Sequence, residues 1–397
     1  MDRAATLSPG INPVRATLGG LCAVLVGIGL ARFAYTPLIP ALIDAQWFTP
    51  AQAAYLGAAN LAGYLAGALF GRQLAAASST PLVLRAMMAV ATLSFFASAA
   101  PLSFAWFFVW RLAAGIAGGA LMVLAAPSIL PHIPASRRGL AGGVIFTGVG
   151  LGIAASGTLV PLLLRQGLAV TWCGLGALAL VLTVLTWRGW PDDGHLAGPG
   201  RAAPPRSGQV LALYAEYGLN AFGLVPHMVF LVVYVAHGLG QGIEVGAQYW
   251  VLFGVGAASG PVLAGRLADR IGFAWALRLT FALQTIAVAL VVLPSGALGL
   301  AISSIVAGAS VPGVVPLVFG RVHQLVRPEQ VRAAWSFATT AFAVGQAAGA
   351  YGMSWLFART DDYVLLFMFG GGALLLGLLI DLGFGRRLAQ LGTGASG

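Results

Sequence analysis

The sequence predicts an all-α membrane protein of twelve transmembrane helices, arranged as two pseudo-symmetric six-helix bundles with both termini cytoplasmic. Three observations carry that expectation. Hydrophobic residues make up 59% of the 397 residues and charged ones only 8%, a balance far from that of a soluble domain. The apolar residues gather into runs of about 20, the length that crosses a hydrocarbon core. The 21 basic residues, all of them arginine, crowd into alternate connecting loops.

Taken in order, the expected spans are 16–43, 52–74, 81–101, 104–130, 139–164, 168–187, 210–237, 246–268, 272–293, 297–320, 332–357 and 362–384. The first follows Arg3 and Arg15 and superficially resembles a signal peptide, but its apolar run is too long for a cleaved segment and is expected to be retained. Spans three and four are separated by a turn at Pro101. Between spans six and seven lies the one long connector, Trp190 to Gln209, rich in Gly and Pro and without helical period, which reads as a flexible linker. It divides the chain into bundles 1–189 and 210–397, joined by 190–209. The pairs Gly71-Arg72 and Gly265-Arg266 each open the turn after the second span of a half, a weak internal repeat. Spans and short connectors use up nearly the whole chain, so no soluble catalytic domain is expected.

Orientation follows from the arginines, which concentrate on the cytoplasmic side of membrane proteins. With the N-terminus inside, seventeen arginines fall inside, only Arg165 and Arg359 outside, and Arg32 and Arg111 within spans. The outer loops carry the acids Asp44, Glu244, Asp361 and Asp362. The net charge of +10 is therefore a topology signal and not a basic patch for nucleic acid. Cys22 and Cys173 lie in apolar segments with no partner nearby in sequence, which indicates neither a disulfide nor a metal framework.

Four segments carry chemistry. "GRLADRIG", Gly265 to Gly272, stands in the turn between spans eight and nine. It resembles the G-x-x-x-D-R-x-G loop of the major facilitator superfamily, and with twelve spans and a central linker the resemblance covers essentially the whole chain. The resemblance implies that Asp269 and Arg270, framed by Gly265 and Gly272, latch the cytoplasmic ends of neighbouring helices; the alternative is an ordinary charged helix end. The first half departs from the pattern, with Ala75 and Ala76 at the corresponding positions.

Span four carries "RLAAGIAGG", Arg111 to Gly119, which resembles the superfamily's R-x-x-x-G-x-x-G pattern. Its glycines permit close helix approach. An embedded Arg costs roughly 2.5–3.5 kcal/mol on insertion scales, so Arg111 either faces a cavity or snorkels to the outer surface. In span one, "GIGLARFAYTPLIPAL" places Arg32 near mid-span with Tyr35 and Thr36 on its face, and Pro37 and Pro40 break the backbone just outward. Broken helices beside a charge suit transporter sites. This segment also resembles a bacterial branch of the superfamily labelled YbfB/YjiJ-like. Span seven holds Glu216, Asn220, His227 and Tyr234 as one polar stripe. Asn60 and Gln346 are weaker candidates, and the other hydroxyls and amides of spans two and eleven read as packing. "GVGLG", Gly148 to Gly152, imitates a nucleotide loop but lies in an apolar helix with no preceding strand, so it reads as close packing. The superfamily's antiporter signature in span five normally includes Gly-Pro; here Pro161 stands far along.

In the superfamily, spans one, four, seven and ten line a central cavity, and the embedded ionisable residues fall on three of these. The expected function is a secondary active transporter of a small organic anion or amphiphile. Arg32, Tyr35, Arg111, Asn220 and His227 would bind the substrate, and Glu216 or His227 would carry a coupling proton, because arginine stays protonated. Efflux of hydrophobic drugs and a non-transporting receptor of the same fold are the alternatives. No cofactor, metal site or nucleic-acid partner is expected. The bilayer partner is a bacterial inner membrane, and the state is monomeric.

Overall fold

The computed structural model describes residues 12–134, 137–191, 207–294 and 296–393. Every regular element among them is helical. The linker expected at 190–209 falls largely at 192–206, outside the described residues. The helices are α1 (Pro13–Asp44), α2 (Pro50–Ala77), α3 (Thr80–Ala97), α4 (Phe104–His132), α5 (Arg138–Leu164), α6 (Leu168–Thr186), α7 (Gly208–Gly238), α8 (243–271), α9 (273–292), α10 (Gly296–Leu325), α11 (Val331–Thr360) and α12 (Tyr363–Thr393). Their starts are set by side chains that accept the orphan N–H groups of the first turn. Asn12 opens α1, Thr49 and Gln52 form a reciprocal box at α2, and Ser79 and Ser103 open α3 and α4.

Ten helical stretches among the described residues are long and apolar enough to cross a membrane. The difference from twelve arises at two places. Helices α8 and α9 run on as one 50-residue stretch, Ile243–Val292. Straight, it would be about 75 Å long, but Gly272 at φ 78°, ψ 156° breaks it, a conformation that costs glycine nothing. The 30-residue α11 carries Ser336, Thr339, Thr340, Gln346 and Ser354 and falls below the apolarity of the others. Large apolar side chains such as Leu298, Val184, Phe70 and Leu379 point outward around the molecule, a surface suited to lipid and not to water.

Glycine sets how closely the helices approach. A Cβ on Gly115 of α4 would run into the carbonyl of Asn60 on α2, and one on Gly308 of α10 would run into the carbonyl of Phe253 on α8. The second and fourth helices of each half are thus packed backbone to backbone in the same way. Gly152 of the "GVGLG" run abuts Gly29 on α1, which is helix packing, as expected.

The halves meet along α1 with α7, α2 with α11, and α5 with α8. At the end remote from the linker they share one apolar core that includes Phe33, Leu42, Phe107, Phe230, Trp250 and Phe367. Trp250 Nε1 on α8 donates to Ser156 Oγ on α5 at 3.1 Å. Toward the linker end the C-terminal half holds a second core of its own, including Leu213, Tyr217, Phe281 and Val318, with no member from the N-terminal half. The shared core thus joins the halves at the far end, whereas the second core belongs to the C-terminal half alone.

Candidate functional site

Two helices lose regular geometry at matching depth. Helix α1 passes from α (Pro13–Val24) through a π stretch (Leu25–Leu30) and a 3-10 stretch (Phe33–Leu38) back to α. Helix α7 passes from α (Gly208–Gly223) into π turns at Pro226–Phe230 and Tyr234–Gly238. Pro37, Pro40 and Pro226 remove backbone donors there. Irregular backbone at membrane depth needs protein partners for its carbonyls, and two carbonyls here have them. Arg111 Nη1 donates to the Ala31 carbonyl at 2.8 Å, and Thr36 Oγ1 donates to the Met228 carbonyl at 2.6 Å.

Between these segments lies a small cavity of about 20 Å³, room for about one water molecule, lined by Arg32, Tyr35, Asn60, Arg111, Met228 and others. The guanidinium carbon of Arg32 sits 4.9 Å from the centre of the Phe33 ring and 5.0 Å from that of Tyr64. Arg111 lies 4.2 Å over Tyr35. Arg32 Nη2 donates to the Met228 sulfur at 3.5 Å, and the Tyr35 hydroxyl donates to the Ala53 carbonyl at 2.9 Å. Arg111 is only 3% exposed; it points inward and does not snorkel. Among the described residues, neither guanidinium forms an ion pair with a carboxylate, and both Nε atoms lack a hydrogen-bond partner. Aromatic faces relieve part of the burial cost of a cation, and an anion would relieve much more.

The other expected residues lie inside the C-terminal half. Asn220 Nδ2 donates to Gln284 Oε1 on α9 at 2.5 Å. His227 Nε2 is 2.7 Å from Ser303 Oγ on α10, and its ring meets Phe367 edge-on at 5.2 Å. Glu216, 2% exposed, feels the charges of Asp381, Arg321 and Arg278. Arg278 and Asp381 are ion-paired between α9 and α12. The structure therefore brings together Arg32, Tyr35 and Arg111, and holds Glu216, Asn220 and His227 apart from them. Asp269 and Arg270 are exposed and form no ion pair among the described residues, and Gly265 faces open space. No group of three His, Cys, Asp or Glu that could hold a metal occurs among the described residues.

Sequence reasoning passed over Met228, whose sulfur faces both Arg32 and Gln346, and Asp381. For Asp381 the signal was present, a lone carboxylate in an apolar run, which is costly enough to need a partner. For Met228 there was none.

A family profile described as "Uncharacterised MFS-type transporter YbfB" matches residues 24–382. The chain is also similar to the 3-(3-hydroxy-phenyl)propionate transporter of Escherichia coli (strain K12), with 29% identity over 238 residues. That match covers 55% of this chain and 56% of the relative, so it spans little more than half of either protein. The apolar helices, the glycine-packed halves and the extent of the profile match converge: this chain belongs to the YbfB-type family of major facilitator transporters and is a multi-pass membrane protein, not an enzyme.

Proposed function

We propose that the chain is a secondary active transporter that carries a small organic anion across a bacterial inner membrane by alternating access. In this reading α1 to α12 each cross the bilayer, both termini and the linker are cytoplasmic, and a monomer suffices. The single observation that carries it is the pair of buried guanidiniums at a cavity between the halves, with no carboxylate paired to them among the described residues. Two fixed cations in a medium of low dielectric favour an anion strongly, and the rings of Phe33, Tyr35 and Tyr64 favour one with an aromatic or apolar body. The relative named as a transporter of an aromatic propionate supports the same class.

Proton coupling is assigned to Glu216 or His227, the titratable groups buried within the moving C-terminal half. Glu216 beside the Arg278–Asp381 pair is the better placed, since uptake or loss of its proton changes the charge balance of that cluster.

Transport in proteoliposomes tests the reading. Wild-type protein should accumulate an aromatic carboxylate against its gradient when a pH difference is imposed, and Arg32→Ala should abolish this. Glu216→Gln should retain exchange of labelled for unlabelled substrate and lose accumulation. Full gradient-driven accumulation by a Glu216→Gln, His227→Ala double variant would reject the coupling assignment.

A further inference from the structure

The atoms left without partners around the cavity are of two kinds. Arg32 Nε and Arg111 Nε are donors, and Asn60 Oδ1 is an acceptor. Asn60 is 1% exposed and lines the same cavity. Chemistry fixes which end of its amide is free. The other end meets the Arg111 carbonyl oxygen at 3.1 Å, and a carbonyl can only accept, so that end is the NH₂ and the oxygen is left over.

A simple carboxylate would answer the two arginines and leave this oxygen unanswered, in a place where no bulk water reaches it. A ligand that also carries a donor would satisfy all three. The donor is better a hydroxyl than an ammonium, because a cation would sit beside two guanidiniums. Resting on the organic-anion reading above, we propose that Asn60 accepts a hydrogen bond from a hydroxyl of the transported acid, which makes the substrate a hydroxy-carboxylate and Asn60 the residue that selects it. Asn60 then has two duties: its NH₂ ties α2 to the Arg111 backbone, and its oxygen reads the ligand. A site built to bond a hydroxyl discriminates strongly against the analogue that lacks it, because the acceptor is then buried unpaired.

The test is calorimetric titration of the full chain in nanodiscs with 3-phenylpropionate and its three ring-hydroxylated isomers. At least one hydroxylated isomer should bind the wild-type protein about tenfold or more tightly than the parent acid. In Asn60→Leu that ratio, taken between the hydroxylated and the parent acid within the same variant, should fall to about one, with folding checked separately by thermal unfolding in the same nanodiscs. Asn60→Ala serves the same purpose if the leucine does not fit. Equal wild-type affinity for all four acids, with Arg32→Ala abolishing all of them, overturns the hydroxyl inference and leaves the anion reading standing. Preference for a hydroxylated isomer that survives in both Asn60 variants removes Asn60 from the role. If none of the four binds the wild-type protein, the anion reading fails and this inference falls with it.

Discussion

Asp44, the last residue of α1, and His237, near the end of α7, lie 3.1 Å apart and join the two halves at the end remote from the linker. A second pair does the same on another side, with Arg165 after α5 standing 3.6 Å from Glu244 at the start of α8. Arg165 and Glu244 are both solvent-exposed, and half-buried His237 meets an exposed Asp44, so each pair contributes about 0–1 kcal/mol. Together they bias the equilibrium between states without locking it. Under alternating access, Asp44→Asn combined with Glu244→Gln is expected to raise the fraction open at the far end by up to roughly thirtyfold, from the sum of two such contributions, about 2 kcal/mol. The check is the labelling rate of a cysteine at buried Val233 in a Cys22→Ala, Cys173→Ala background. An unchanged rate at low salt would remove both pairs from the gate.

The two cavity arginines should separate in their effects on stability. Among the described residues Arg32 gives a hydrogen bond only to the Met228 sulfur, a weak acceptor, so Arg32→Ala should lose ligand binding with little change in Tm. Arg111 is bonded to the Ala31 carbonyl and lies over Tyr35. Arg111→Ala should therefore cost about 1.5–3 kcal/mol of stability, as for a hydrogen bond to a charged group. Thermal unfolding in detergent distinguishes them, and equal losses of Tm would contradict the geometry.

Gly115 and Gly272 are expected to respond differently to alanine. At Gly272 nothing stands within 4 Å of an added Cβ, so Gly272→Ala meets only the backbone penalty of a conformation that glycine alone adopts readily, about 1–3 kcal/mol. At Gly115 the same methyl would strike the Asn60 carbonyl and force α2 and α4 apart. Gly115→Ala should lower Tm more than Gly272→Ala and also weaken ligand binding, because Asn60 moves with α2. A larger loss at Gly272 than at Gly115 would refute the packing account.

Removing one member of the α9–α12 ion pair should be worse than removing both. Arg278 and Asp381 are each 17% exposed at the side chain, and a largely buried charge stripped of its partner is costly. Asp381→Asn should lower Tm, and Arg278→Gln combined with Asp381→Asn should recover part of the loss. A strictly additive double variant, measured as a thermodynamic cycle, would show that the pair is not coupled.

Much of this architecture was legible in the residues, and for identifiable reasons. Apolar length responds directly to the bilayer, so the helices appear close to where the runs of Leu, Val and Ala begin and end. Arg32 and Arg111 stood out because a buried guanidinium is costly wherever it occurs. Their company was harder to read. The stripe on α7 gave Glu216, Asn220 and His227 one shared direction, but not what that direction faces. The partners Gln284 and Ser303 lie on α9 and α10, and sequence spacing within one helix does not reach across to another. Asn60 looked like one of many amides that hold helices together. Only the carbonyl it meets reveals that half of its bonding capacity is spare.

The irregular turns of α1 and α7 bear on how such a molecule moves. In hydrocarbon, no solvent stands ready to accept a dipole released by a changing helix. At Ala31 and Met228 the backbone oxygens are already held by side chains from other elements. Tilting either rod at that level can exchange one donor for another without stranding the oxygen. Under the alternating access proposed above, these paired joints are where the halves would pivot while the straight segments on either side stay intact.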